Sequence, residues 1–289
     1  MAMPVIGFLN SGSEGAFQQS VAAFNQGLNE LGYLDGKNVV VKYAWAEGDY
    51  DNLPKVADAL AAQGVDLIAA SGGVTSALAA RTAAPKIPIV FVCGFDPADP
   101  RIGFDGNATG VNLHNTDRLP ERLKLFCELL RHAEVKILLN PNAYLTDIGV
   151  EQGAVPGTDV LKASNDAQLE ERFAQAQKER VAILVGPDSF FTSRRDFIVA
   201  LEKKYKVPAA YPFREYAEAG GLMSYGPSLT NPYRQLGVYA AQLLDQVKIA
   251  DLPVTQTTNF ELVINTRAAR AHALAIPPGL LARADKIIN

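Results

Sequence analysis

No stretch of this 289-residue chain is apolar for the roughly 18 or more residues that a membrane-crossing helix requires, so a membrane-spanning role is not expected. A basic excess is also missing. Lys and Arg total 27 against 31 Asp and Glu, for a net charge of −4, with no Lys/Arg run and no interleaving of aromatic and basic residues. That argues against nucleic acid as a partner. Cysteine is scarce: Cys93 ends an expected strand and Cys127 sits in an expected helix. Neither belongs to a CxxC or nucleophile motif, both are expected to be buried free thiols, and they leave the redox compartment undecided.

The three histidines, His114, His132 and His272, are scattered. No HExxH and no Cys-ligand spacing occurs, which argues against a metal site. GxSxG is absent, and with it the hydrolase nucleophile elbow. GxGxxG and GK[ST] are absent too. The nearest approach, "NSGSEG" (10–15), carries Glu14 where a phosphate would be repelled. No cofactor is therefore expected, and no paired acid and base stands out as a catalytic centre. "MAMPVIGFLN" has no basic n-region of a signal peptide. "MAM" ahead of a strand looks like a start added after removal of a leader, the alternative being a cytoplasmic protein.

What is present is a large apolar fraction, 48%, enough to fill the cores of two ordinary domains. It is laid out as alternating strands and helices. "VIGFLN" (5–10) reads as a buried strand, followed by Phe17, Val21, Phe24, Leu28 and Leu31 on one helical face. Ser11 or Ser13 is expected to cap that helix, Ser11 with Glu14 as a capping box, and Gly32 to close it. Strands follow at 38–45, 65–70 and 87–93, with a helix from Leu53 and an alanine-rich helix after "SGG".

"DPADPRIGFDGNATG" (96–110) interrupts the rhythm, which then restarts. A helix is expected near 117–131, strands at 135–140 and 158–163, a helix at 167–180 and a strand at 181–186. Next come one helix over 190–205, strands at 207–211 and 222–228, a long amphipathic helix, and an ending of strand, helix, Pro-Pro break and helix. Strand–helix–strand order with short links gives parallel sheets covered on both faces. The expected fold is α/β, with two Rossmann-like lobes of similar type, and the segment 96–110 is the first plausible connection between them.

In open α/β sheets ligands sit at the C-terminal ends of the strands, so the loops there hold the candidates. Asn10 and Ser11 follow the first strand. "SGGVTS" (71–76) opens a helix after the third, where Ser71, Gly72, Gly73, Val74 and Thr75 offer backbone amides, hydroxyls and the helix dipole to a carboxylate or small anion. Phe95 and Asp96 follow the fourth strand and Asn115 the next connection. In the second half Asn140 ends "LLN", Asp188, Phe190 and Phe191 follow "VAILVG", and Tyr211 and Arg214 belong to "AYPFREY". Aromatics, an acid, an Arg and amides at one edge suit a small molecule with an apolar body and charged ends. Asp188 also fits a plain helix cap.

The blocks "VIGFLNSGS", "YAWAEGDYDNLP", "NATGVN", "LLNPN", "VGPDSFFTSRRD", "YPFREYAEAGGLMSYG" and "FELVINTRAARAHALAIPPGLLARADKII" occur in an order that resembles the substrate-binding proteins of ABC transporters of the tryptophan/tyrosine-binding type. The resemblance covers nearly the whole chain. It implies a type I periplasmic-binding fold with three crossings between lobes that close on a solute, the lobes being residues 1–117 plus 226–258, and 118–225 plus 259–289. It also implies a monomer outside the cytoplasm, periplasmic or lipid-anchored, whose leader is absent here, with an ABC permease of the inner membrane as partner.

By the same resemblance the "SGGVT" turn takes a ligand carboxylate, Asp188 faces an ammonium or polar group, and Phe95, Phe190, Phe191 and Tyr211 form walls around an aromatic amino acid or aromatic carboxylate. Two departures adjoin that site. "AYLTDIGVEQGAVPGTD" is broken by Gly149, Gly153, Pro156 and Gly157 where the family has a longer helix, and the loop 97–107 is compressed. Alternatives of other classes are a cytoplasmic ligand-sensing domain of a transcription regulator and an enzyme with an interlobe site.

Overall fold

The structure is a computed structural model that describes residues 3–94, 106–131, 133–143 and 158–289. The chain forms two units: Met1–His114 with Leu229–Thr257, and Asn115–Ser228 with Thr258–Asn289. The backbone therefore passes between units at 114/115, 228/229 and 257/258.

Unit 1 is built on a six-stranded sheet in the order β11-β5-β4-β3-β1-β2. The strands are β1 (Val5–Asn10), β2 (Val40–Trp45), β3 (Leu67–Ser71), β4 (Ile89–Cys93), β5 (Ala108–Asn112) and β11 (Thr255–Gln256). All its pairings are parallel. Every residue of β3 and β4 is buried, which is why both read as unbroken apolar runs rather than as alternation. Helices α1 (Glu14–Glu30), α2 (Leu53–Ala61), α3 (Val74–Ala83) and α9 (Thr230–Leu244) belong to this unit.

Helices α1 and α9 pack backbone to backbone. A Cβ on Gly27 would stand 1.9 Å from the Arg234 carbonyl oxygen, and one on Gly237 would stand 2.1 Å from that of Phe24. Only glycine on each helix permits that approach.

Unit 2 carries a seven-stranded sheet in the order β13-β12-β10-β9-β8-β6-β7. Its strands are β6 (Val135–Leu139), β7 (Val160–Lys162), β8 (Ala182–Val185), β9 (Ala209–Tyr211), β10 (Met223–Pro227), β12 (Phe260–Asn265) and β13 (Lys286–Ile288). Its helices are α4 (Leu119–Leu130), α5 (Asp166–Glu179), α6 (Ser189–Ser193), α7 (Arg195–Tyr205), α8 (Arg214–Glu218), α10 (Thr266–Ala271) and α11 (Pro278–Leu281). β10 and β12 pair antiparallel and the other pairings are parallel. The core gathers Phe126, Leu129, Ile137, Leu184, Met223 and Ile264.

Several local expectations are corrected. The expected 190–205 helix is two, because the chain turns at Arg194 (φ −103°) between α6 and α7. The C-terminal strand β13 has no periodic signal in three residues. Ser11 does not form the capping box: its Oγ donates to the Gly72 carbonyl at 2.6 Å, and Ser13 holds the N-cap position with no side-chain cap bond. Leu31 is 41% exposed, since α1 ends one residue before it. Cys93 is buried, but Cys127 is exposed on α4, off the buried stripe that carries Phe126 and Leu129.

Candidate functional site

At the C-terminal edge of the unit 1 sheet, the loops after β1 and β3 are tied together by buried polar side chains. Asn10 Nδ2 donates to Ser71 Oγ (2.9 Å) and Asn10 Oδ1 accepts from the Gly12 amide (2.6 Å). The Tyr233 hydroxyl, from α9, reaches the same cluster. Burial pushes its pKa well up, while hydrogen bonding with Ser71, Gly72, Asn10 and Ser20 pulls the other way. The loop after β2 is strapped on by its own backbone: the amides of Ala46, Glu47 and Gly48 donate to the carbonyls of Asn10, Gly12 and Ser11 at 2.8–3.0 Å.

This network holds the turn into α3. Gly72 (φ +81°) and Gly73 (φ +103°) both adopt the left-handed region, and a Cβ on Gly72 would lie 2.7 Å from Asn10 Oδ1 and Ser11 Oγ. The turn is thus specified twice, by backbone conformation and by space. Val74 is buried while Gly72, Gly73 and Thr75 are half-buried. Ser76, in the first turn of α3, has a buried hydroxyl without a hydrogen-bond partner. A helix start of this kind favours an anionic group. Asn10, Ser11 and Ser71, by contrast, have no exposed surface: they build the turn.

At the corresponding edge of unit 2, Asn140 follows β6, its Nδ2 donating to Asp188 Oδ1 (3.2 Å) and its Oδ1 accepting from the Asn142 amide (3.0 Å). Asp188 is the N-cap of α6, its Oδ1 accepting from the Phe191 amide at 3.0 Å. It is also half-buried, so one carboxylate serves as cap and lies within reach of solvent. Phe190 is 4% exposed, with its ring 5.8 Å from that of Phe191 and the Arg194 guanidinium 5.5 Å from its centroid.

Of the remaining candidates the structure buries Phe191, Tyr211 and Asn115 and holds the half-buried Arg214 in ion pairs. Phe191 and Tyr211 are fully buried. Tyr211 stacks on Tyr216 at 4.7 Å and donates to Glu202 Oε2 at 2.5 Å, so it faces the core of unit 2. Arg214 pairs with Glu218 and Glu261. Asn115 is 1% exposed and accepts from Arg122. Phe95 and Asp96 lie outside the described residues, as do His132 and most of the two segments expected to depart from the family pattern (97–105 and 144–157 of them).

Two features escaped the sequence reading. Tyr233 is one more apolar position on an amphipathic helix, with nothing to signal that its hydroxyl is used. Arg122 did leave a signal: with Leu119, Leu125, Phe126 and Leu129 it falls on the buried stripe of α4. Among the described residues, no three His, Cys, Asp or Glu lie together as metal ligands, and no helix is long and apolar enough to cross a membrane.

The family model for "ABC transporter substrate binding protein" matches residues 6–288. The chain belongs to this family. Members of such a family bind a small-molecule solute outside the cytoplasm and present it to a permease, and the two mostly parallel sheets found here are those of type I periplasmic-binding proteins. Among curated relatives, the substrate-binding protein is 23% identical over 262 residues to a tyrosine-binding protein of Clostridioides difficile, covering 86% of this chain and 74% of that one.

Among solved structures it resembles a Streptococcus pneumoniae ABC domain in complex with L-Trp: TM-score 0.87, 23% identity, 99% of this chain and 100% of that one. A conserved domain protein of Vibrio cholerae gives a TM-score of 0.86 at 21% identity, with the same coverage. At these identities the structural likenesses establish the fold.

Proposed function

We propose that this substrate-binding protein is the extracytoplasmic capture component of an ABC importer. Its solute is a small amphipathic molecule, an aromatic amino acid or an aromatic carboxylate. It does no chemistry on the solute and hands it to the permease. The observation that carries the reading is the family match along 6–288.

The chemistry of the solute is inferred from the two strand edges. The half-buried Gly72–Gly73–Thr75 helix start in unit 1 suits a carboxylate. The half-buried Asp188, with the Phe190 ring beside it, suits an ammonium group and an apolar body. The tyrosine-binding relative and the L-Trp-bound neighbour support the same class. Capture follows if the solute favours the arrangement in which both units contribute contacts, in proportion to its differential affinity for that arrangement.

The test is a thermal-shift panel on the ligand-stripped protein with L-tryptophan, L-tyrosine, aromatic carboxylates, branched amino acids, sugars and nucleosides. A ligand at about 100 times its Kd adds roughly 2.7 kcal/mol, a rise of several degrees in Tm. A rise confined to the aromatic acids and amino acids is expected. A rise with sugars or nucleosides alone would keep the capture role and overturn the solute class.

A further inference from the structure

Among the described residues, Arg122 is the largest fully buried side chain, and no carboxylate is among its partners. Nε donates to the Tyr225 carbonyl at 2.6 Å, and Nη2 donates to the Asn115 carbonyl at 3.3 Å and to Asn115 Oδ1. Nη1 has no partner, and neither has Asn115 Nδ2. Burial lowers the guanidinium pKa to about 9, which leaves it charged at neutral pH. A buried cation that relies on carbonyl and amide oxygens is costly, and such a cost points to a job that a leucine on the same helical stripe would not do.

The partners show what the job is. Asn115 is the first residue of unit 2 after the 114/115 passage, and Tyr225 lies three residues before the 228/229 passage. β10 has β9 beside it only at Met223 and Ser224. Tyr225 is the next residue, and its carbonyl is taken by Arg122 instead of a strand. On its other side β10 stays paired with β12 as far as Pro227↔Phe260, next to the 257/258 passage.

The second and third connections are therefore joined by a strand ladder within unit 2. Within unit 1 the first and third are joined in the same way, by Gln256↔Asn112 and the Thr257 amide on the Asn112 carbonyl at 2.9 Å. For the first connection on the unit 2 side, the contacts include side-chain ones: Arg122 on Asn115 and Tyr225, and the half-exposed Arg118 guanidinium 4.4 Å from the Phe260 ring.

We propose that Arg122 is the positioning residue that fastens the first connection between the units to the second, doing on the unit 2 side what a strand ladder does elsewhere. The fastening bears on solute capture only through the function proposed above. The test, hydrogen exchange on the full ligand-free chain, needs no solute, so it decides the fastening whether or not L-tryptophan binds.

Arg122→Met keeps most of the apolar stem and removes the donors. It is expected to speed exchange at least tenfold in segments 113–117 and 224–228 while leaving β6 and β8 unchanged. Asn115→Asp gives the guanidinium a charge partner at the atom that Nη2 already contacts, and is expected to slow exchange in the same two segments. Uniform acceleration throughout unit 2 in Arg122→Met would mean that the residue merely fills the core and would overturn the proposal. Should Arg122→Met fail to fold, Asn115→Asp decides alone: unchanged or faster exchange at 113–117 and 224–228 refutes the fastening.

Discussion

The Tyr211 hydroxyl donates to Glu202 Oε2 at 2.5 Å while His272 Nε2 stands 3.0 Å from Oε1 of the same carboxyl. This group is wholly inside unit 2, with Glu202 at 0% and the His272 side chain at 5% exposure. Burial raises the Glu202 pKa, and hydrogen bonds from His272, Tyr211 and the Leu222 amide pull against it. A carboxyl raised on folding contributes stability that is complete below its unfolded pKa and is lost as pH rises through the folded value.

Glu202→Gln removes that ionisation and keeps an acceptor for Tyr211. Between pH 4 and pH 7 the wild type should lose stability relative to Glu202→Gln, by roughly 1.4 kcal/mol for each unit by which the carboxyl is raised. Urea unfolding of both proteins across this range checks it, and parallel curves would mean that Glu202 does not titrate differently on folding.

The contact between α1 and α9 makes a second prediction. A Cβ on Gly237 would overlap the Phe24 carbonyl oxygen at 2.1 Å, and backbone cannot rotate away as a side-chain tip can. Gly237→Ala should destabilise unit 1 by about 1–3 kcal/mol or more, although alanine is the better helix former by about 1 kcal/mol. Gly15, near the start of α1 with nothing within 4 Å of its would-be Cβ, is the control: Gly15→Ala should be neutral or stabilising.

The two kinds of glycine mark how far the sequence could be read. The α/β class and the strand-end loops were legible because buried parallel strands such as Ile89–Cys93 and helices such as α1 write their environment in period and composition. The direction in which a strand-end side chain faces is not written there. Tyr211 and Phe191 stand in the right loops and face the core, because Tyr211 finds Glu202 nine residues earlier in the chain. Asn10 and Ser71 stand 61 residues apart and meet only through the β1–β3 register. Arg122 falls on the buried stripe of α4, but what it binds is not written there, its partner Tyr225 being 103 residues away.

Gly72 and Gly73 allow strain to be separated from crowding at the turn into α3. Both have positive φ, so alanine at either costs on the order of 1–2 kcal/mol in backbone conformation. At Gly73 nothing lies within 4 Å of the new Cβ, whereas at Gly72 it meets Asn10 Oδ1 and Ser11 Oγ at 2.7 Å. Gly72→Ala should therefore be the less stable of the two by about 1 kcal/mol or more. Equal losses in urea unfolding would show that the Asn10–Ser11 cradle yields and does not define the turn.

Asp188 is the N-cap of α6 and, under the proposed function, the partner of a solute ammonium; a pair of substitutions separates the two roles. As N-cap it accepts from the Phe191 amide, a bond that asparagine reproduces and alanine does not. Asp188→Ala should cost about 1 kcal/mol of stability. Asp188→Asn should cost little on that account, since Asn and Asp cap almost equally well. The charge matters only if a solute ammonium lies against it. Under the proposed function, Asp188→Asn keeps the Tm of the ligand-free protein and weakens L-tryptophan or L-tyrosine by tenfold or more in calorimetric titration. The deaminated aromatic carboxylates are affected much less, because they bring no cation. Undiminished affinity for the amino acids in Asp188→Asn would leave Asp188 as a cap alone and move the search for the ammonium partner to Glu215, half-buried in the same unit with its pKa raised by burial and its Oε2 unpartnered.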